Sequence, residues 1–446
     1  MADGLEMRKN GTIFVHIGSD QTINNTIYMK KILIFAAALF VGISAAAQTF
    51  YVGGTADDGV KVLTSNGKVL EYAGTQLAGL GANSKGAWVL VQSEPVAARL
   101  FYSRSRTSDM SGWAKCLGTK FNDKVNNPRK VRDGWGSYVL WNENSIYKTY
   151  KYTDEKKCII SSIAMKIKGN DVVVAGTYAK DWGGKYAWYW GMMWGEVNGK
   201  MIYGNPNSSD GWQRKSLKRK YFKGFEEPTR SLENIGYPEY DTDGTFTSVY
   251  HVNAVDYMDG KIYTTGWGER EYTYYHVNTA QDWYYVRRCA RCWENGEEKV
   301  KQYENKTSAA YTLTMGGTAS NPIYYTAGHL RGQPMGWTAN EDIYTKDMNG
   351  AVSREAIITV NNSIKRFFIV GEDLCVNDGK SIKVANAKQW LDVVAYNNEI
   401  YALCCGVDRT KYTVYKVDPV NYTLYPTSFK SVEGRGINAD QRLAIY

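Results

Sequence analysis

Histidine is the scarcest chemistry-bearing residue in the chain. There are four, His16, His251, His276 and His329. His329 follows Gly328 at the end of a β-prone segment, and His276 sits in a Tyr-rich stretch. Either can act as a general base, because imidazole titrates near neutrality. No His-x-Glu or His-Glu-x-x-His spacing occurs, so no metal site is expected. A Gly-x-Ser-x-Gly nucleophile elbow and a Gly-x-x-x-x-Gly-Lys-Ser/Thr phosphate loop are also missing from the sequence. Carboxylates abound, among them Asp181, Glu196, Glu269, Glu271 and Asp282. A glycosidase needs two of them about 5–10 Å apart across a cleft. If the chain is an enzyme, His329, Glu269 and Asp181 are its candidates. The favoured expectation is no catalytic residue and no cofactor. The acidic run Glu239, Asp241, Asp243 lacks the full calcium-loop pattern and reads as a solvated loop.

Aromatic residues offer a different chemistry. The segment after Gly176 holds Trp182, Tyr186 and Trp188. The segment after Gly266 holds Trp267, Tyr275, His276 and Trp283, and His329 follows Gly328. A pyranose ring presents C–H groups to an aromatic face and hydroxyls to nearby polar groups. Exposed Trp and Tyr also suit protein partners. These eight residues are the expected ligand-binding set, although many rings in so aromatic a chain must simply pack in the core.

The elements that position them repeat. An apolar or aromatic residue, two further residues and a Gly recur as Phe50–Gly53, Val173–Gly176, Tyr263–Gly266, Tyr325–Gly328, Phe368–Gly371 and Leu403–Gly406. A strand and a tight turn precede three of them, through Gly169-Asn170, Asp259-Gly260 and Asn397-Asn398. Such turns close hairpins because their residues accept positive φ. Second hairpins turn at Asn198-Gly199 and Asn295-Gly296. Each unit therefore reads as four antiparallel strands, and a series of such units is a β-propeller. Gly86–Val91 with Leu100–Tyr102, and Tyr138–Trp141 with Ile146–Tyr152, are candidates for two unmarked blades. The fold expected is all-β, with seven blades favoured and six to eight allowed. Arg442–Tyr446 is a candidate closing strand for the first blade. In this topology the connections between second and third strands share one face, and that face carries the aromatic segments. Loops on a rigid scaffold are where binding resides.

The composition agrees. Of 446 residues, 43% are apolar, 22% charged and 35 are Tyr, which favours pleated strands over helices. Seven Cys read as buried small hydrophobes: the Cys289–Cys292 spacing sits on a strand, and Cys404-Cys405 is poor for zinc. The net charge of +9 is modest for this length and gives no nucleic-acid signature. Met29-Lys30-Lys31, the apolar run Ile32–Ile43 and Ala45-Ala46-Ala47 read as a secretory signal peptide, 29–47. The run is shorter than the ~20 residues that span a bilayer, and no membrane span is expected after it. Residues 1–28 read as an extension outside the fold. Residues 48–446 read as the propeller, with a polar insertion at about 205–245 carrying Arg214-Lys215 and Lys218-Arg219-Lys220.

The Lys-Lys signal ending Ala-Ala-Ala-Gln, the Tyr-x-x-Gly strands and the hairpin Cys292–Gly296 resemble exported, uncharacterised β-propeller-like proteins of Bacteroides-type Gram-negative bacteria. The resemblance covers Met29 to Tyr446. It implies export to the periplasm, the outer surface or the medium, and a propeller scaffold. It supplies no catalytic residues. The leading expectation is a non-catalytic module that binds a glycan or an envelope protein on its aromatic face. The rivals are a glycoside hydrolase or lyase with its site in the central funnel, and a structural envelope protein.

Overall fold

The structure, a computed structural model, describes residues 6–7, 13–14, 48–97, 131–151, 158–181, 188–205, 213–216, 250–276, 281–301, 308–330, 332–338, 342–344, 348, 350–377, 380–384, 387–407, 411–429, 437 and 439–446. The chain divides into two units, Met1–Gln48 and Thr49–Tyr446. In the first, Glu6–Met7 pairs with Ile13–Phe14. The rest of the expected extension and the whole expected signal peptide up to Ala47 lie outside the described residues.

The second unit is all β. Five four-stranded antiparallel sheets and one nine-stranded sheet account for its described strands. The large sheet separates into two meanders joined by one pair, Ile160↔Gly136. Seven meanders result among the described residues, and the fold is a β-propeller. From the inside outward, blade 1 is Ala439–Ile445, Phe50–Ala56, Gly59–Thr64 and Val69–Tyr72. The last strand of the chain thus closes the ring on the first, as the sequence predicts. Blade 2 is Gln76–Asn83, Gly86–Ala97, Val131–Asn142 and Ser145–Tyr150. The two unmarked blades expected from sequence are therefore halves of this one. Leu100–Tyr102 lies outside the described residues, and Gly86–Ala97 instead pairs with Val131–Asn142.

Blade 3 is Cys158–Lys168, Asp171–Asp181, Trp188–Val197 and Lys200–Tyr203. Gln213–Ser216, inside the expected insertion, adds to its third strand. Blade 4 is Tyr250–Met258, Lys261–His276, Gln281–Glu294 and Glu297–Lys301. Blade 5 is Ser308–Thr318, Asn321–Leu330, Gln333–Trp337 and Asp342–Tyr344. Blade 6 is Val352–Val360, Ser363–Val370, Asp373–Val376 and Ser381–Ile382. Blade 7 is Ala387–Tyr396, Glu399–Gly406, Tyr412–Val417 and Leu424–Pro426.

The recurrent Gly marks the second strand of a blade except at Gly371, which follows Val370 in a turn at positive φ, and at three positions the reason is steric. The inner strands bulge at Ile160/Ser162, Val252/Ala254 and Ala310/Thr312. Each bulge turns a carbonyl onto the facing Gly. A Cβ at Gly176, Gly266 or Gly328 would lie 2.2, 1.8 or 1.9 Å from the carbonyl oxygen of Ser162, His251 or Ala309. Backbone cannot yield that distance, so Gly is required where the ladder is bulged.

The core lies between blades. Phe367, Ile369 and Leu374 of blade 6 pack with Val393, Ile400 and Val417 of blade 7. Leu403 and Val414 of blade 7 meet Phe50, Val52 and Leu443 of blade 1. Trp194, Trp293 and Trp337, on the third strands of blades 3, 4 and 5, are fully buried. Such rings each bury about 150–250 Å² and anchor blade against blade. The described Cys side chains, Cys289, Cys292, Cys375, Cys404 and Cys405, are buried. Burial pushes Cys292 and Cys404 up to about 12, which leaves them inert.

Candidate functional site

A channel of about 430 Å³ is lined by the inner strands of all seven blades. Gln76–Leu80, Ser162–Lys166, His251–Val255, Tyr311–Leu313, Ser353–Glu355, Asp392–Val394 and Arg442 with Asp440 form its wall. Gln76–Leu80 and Ser353–Glu355 lie at the start of their inner strands, whereas Ser162–Lys166 and Asp392–Val394 lie at or past the middle of theirs. Strand order alone brings the wall together, since its residues run from Gln76 to Leu443 in sequence.

Polar side chains tie neighbouring inner strands across the wall. Ser162 Oγ accepts from Val252 N at 2.9 Å, joining blades 3 and 4. Asn253 Nδ2 donates to Ala310 O at 2.7 Å, joining 4 and 5. Thr312 Oγ1 donates to Glu355 Oε2 at 2.9 Å, joining 5 and 6, and Arg366 Nε donates to Glu355 Oε1 at 2.5 Å. Asp440 accepts from Thr55 Oγ1 at 2.9 Å and from Gln76 Nε2 at 3.4 Å, tying blades 1 and 2. Asp392 accepts from Val393 N at 2.9 Å and from Leu443 N of blade 1 at 2.7 Å.

Charge concentrates at blades 6, 7 and 1. Arg354 Nε lies 3.5 Å from Asp392 Oδ1, and Arg442 stands close to both. Burial pushes the Asp392 carboxyl above the ordinary carboxylate range, against the pull of Arg354, Arg442 and its two backbone donors. Arg354 first, then burial, draw Arg442 down to about 10, with Asp392 and Asp440 opposing. Arg442 stays charged at neutral pH. The buried Nε of each arginine has no hydrogen-bond acceptor.

Two aromatic stacks back the wall. The rings of His251 and Trp267 are 5.0 Å apart and nearly parallel, at 4°. Those of Tyr311 and His329 are 5.8 Å apart at 28°. Of the sequence-derived ligand set, Trp267 is buried on the second strand of blade 4, behind the channel-lining His251. His329 lies half-buried behind Tyr311, and burial holds its imidazole below the usual range. Its Nδ1 accepts from Gly332 N at 3.4 Å. Trp182 and Tyr186 lie outside the described residues. Trp188, Tyr275, His276 and Trp283 are placed by backbone only, as are Asp181 and Glu269.

That placement revises the loop reading. The stretch after Gly266 is no loop, because Lys261–His276 pairs with Gln281–Glu294 along its whole length, out to His276↔Gln281. Alternating Tyr and Thr carry the ladder past the blade. Asp181 ends the second strand of blade 3 opposite Tyr189. Glu196, grouped with the candidate carboxylates, is buried and accepts from Tyr150 Oη and Lys148 Nζ, bridging blades 2 and 3.

The channel residues His251, Tyr311, Arg354, Asp392 and Arg442 were not in the ligand set drawn from sequence. One signal pointed to some of them. Asp392 interrupts the apolar inner strand Trp390–Tyr396, and Arg354 interrupts Val352–Val360. A charge on the wall-forming strand of a propeller faces either a neighbouring blade or the channel.

The class is thus a β-propeller with a polar central channel. No protein-family model and no curated protein sequence matches the chain. Solved structures that align with it are distant. A protein from Bacteroides fragilis, provisionally named a 6-phosphogluconolactonase, shares 10% identity at a TM-score of 0.37, over 90% of this chain and 98% of that one. The dihydro-heme d1 dehydrogenase NirN shares 11% at 0.38, over 89% of this chain and 65% of its own. AztD of Citrobacter koseri shares 8% at 0.33, over 90% of this chain and 98% of its own.

Proposed function

We propose that the protein is an exported, non-catalytic binding module whose ligand, a saccharide, enters the central channel. One observation carries this reading. The channel wall combines hydrogen-bonding side chains from successive blades with two rings, His251 and Tyr311, each braced by a second ring. A volume of about 430 Å³ suits one or two sugar rings, within the range of small-molecule sites. Rings fixed by stacking offer a flat C–H contact with little ordering cost.

Binding is favoured over glycoside cleavage by the state of the carboxylates on the wall. Glu355, Asp392 and Asp440 each accept hydrogen bonds that join strands. A general acid or nucleophile must instead face substrate. The test is isothermal titration of the purified protein with a panel of oligosaccharides, alongside an assay for new reducing or unsaturated ends. Saturable binding without cleavage, weakened about tenfold in His251→Ala (about 1.4 kcal/mol), is the expected result. Cleavage of any bound sugar overturns the non-catalytic reading.

A further inference from the structure

We infer that the channel binds its ligand through a carboxylate held between Arg354 and Arg442, which makes the ligand an acidic sugar rather than a neutral one. This deepens the saccharide reading above and rests on it.

The argument starts from hydrogen-bond accounting. A buried guanidinium needs acceptors, and a buried N–H without one costs free energy comparable to a lost hydrogen bond. Arg354 and Arg442 both line the channel. Arg354 Nη1 donates to Ser353 O at 2.8 Å, but its buried Nε has no acceptor. The buried Nε of Arg442 has none either. Asp392, the carboxylate nearest both, does not satisfy them: it accepts from Val393 N and Leu443 N and reaches Arg354 Nε only at 3.5 Å, too long for a good hydrogen bond. Asp440, the next nearest to Arg442, accepts from Thr55 and Gln76. Glu355, the third carboxylate on the wall, is held by Arg366 and Thr312. The carboxylates of this wall are therefore engaged with other donors, while two arginines repel each other with N–H groups left over.

An anion in the channel meets the exposed parts of the two half-buried side chains. Its charge relieves the repulsion between the guanidinium groups, and a side-chain shift that opens each Nε lets it accept the unpaired N–H. A planar carboxylate matches the guanidinium fork, so an anionic group is selected over a neutral one. The stacked rings of His251 and Tyr311, on blades 4 and 5 of the same wall, then receive the rest of the sugar.

The probes are digalacturonate, its neutral methyl ester, and citrate, titrated calorimetrically into the full chain and into Arg354→Gln and Arg354→Lys. Melting curves check that each variant folds. The expected result is at least tenfold tighter binding of the acid than the ester by the wild type. Arg354→Gln should erase that preference. Arg354→Lys, which keeps charge but loses the fork, should retain part of it. Equal affinity for acid and ester overturns this inference and leaves the saccharide reading standing. Acid preference that survives in Arg354→Gln also overturns it. Binding of citrate alone, lost in Arg354→Gln, keeps the carboxylate site and removes the sugar. No binding of any probe removes both.

Discussion

Asp256 of blade 4 and Asp392 of blade 7 are built alike and surrounded differently. Each sits on an inner strand and is buried. Each accepts from the N–H of the residue that follows it, Tyr257 or Val393, at 2.8 and 2.9 Å. Each also accepts from an N–H on the next inner strand, Met315 N at 2.8 Å for Asp256 and Leu443 N at 2.7 Å for Asp392. Their cations differ. Asp256 takes a single, half-exposed Lys168, whose Nζ lies 3.1 Å away with its remaining donors open to solvent. Asp392 faces two arginines with buried N–H groups that it does not satisfy. The same carboxylate device is complete at Asp256 and incomplete at Asp392. The first reads as a blade-to-blade tie. The second is a tie with unspent binding capacity, and it is the one that lines the channel.

Removing each carboxylate is the strongest way to break the comparison. Asp392→Ala orphans two backbone donors and leaves Arg354 and Arg442 facing each other. Breaking a buried charge cluster on one side costs about 3–5 kcal/mol. Asp256→Ala orphans two donors but leaves Lys168 able to turn into water, so its cost should stay near 2 kcal/mol. Urea denaturation of both variants reads the difference. A larger loss for Asp256→Ala would mean that the arginines are not held in check by Asp392, and the contrast would fail.

Lys168→Met sharpens the other side. Its side chain is 41% exposed, so the pair is screened and worth under about 1 kcal/mol. The same denaturation series should place this variant close to wild type. A loss as large as that of Asp256→Ala would make the lysine an essential part of the tie.

The contrast also explains what could be seen beforehand. Hairpins are local, so the turns announced themselves. Asn198-Gly199, Asp259-Gly260, Asn295-Gly296 and Asn397-Asn398 all adopt the positive φ that their types favour. The recurrent Gly on the second strand was equally legible, because at Gly176, Gly266 and Gly328 the bulged partner excludes a Cβ. The channel was not. Its wall draws one short segment from each of seven blades, and no periodicity links Asp392 to Arg442 or to Arg354. Aromatic density drew attention to Trp267 and His329 instead, which brace the wall one strand out. The aromatic ribbon of blade 4 was read as a loop because turn chemistry is absent from it only by degrees. Tyr and Thr continue the pleat as readily as they fill a loop.

The smallest expected effect concerns acidity. Burial raises Asp392 in the folded state despite Arg354 and Arg442, the charged groups nearest to it. A raised folded-state value means that the folded protein holds this proton more tightly than the unfolded chain. The stability it confers is complete below the ordinary aspartate range, near pH 4, and is lost as pH rises through the folded-state value. Asp392→Asn cannot titrate and shows no such loss. Between pH 4 and pH 7 the wild type should therefore lose stability relative to Asp392→Asn, measured as urea midpoints at matched ionic strength. A carboxylate ligand in the channel should steepen that loss, since it adds negative charge beside Asp392. A wild type that gains on the variant as pH rises would show that the arginines outweigh burial. Asp392 would then be an ordinary ion pair with its cations satisfied, and the difference from Asp256 would vanish.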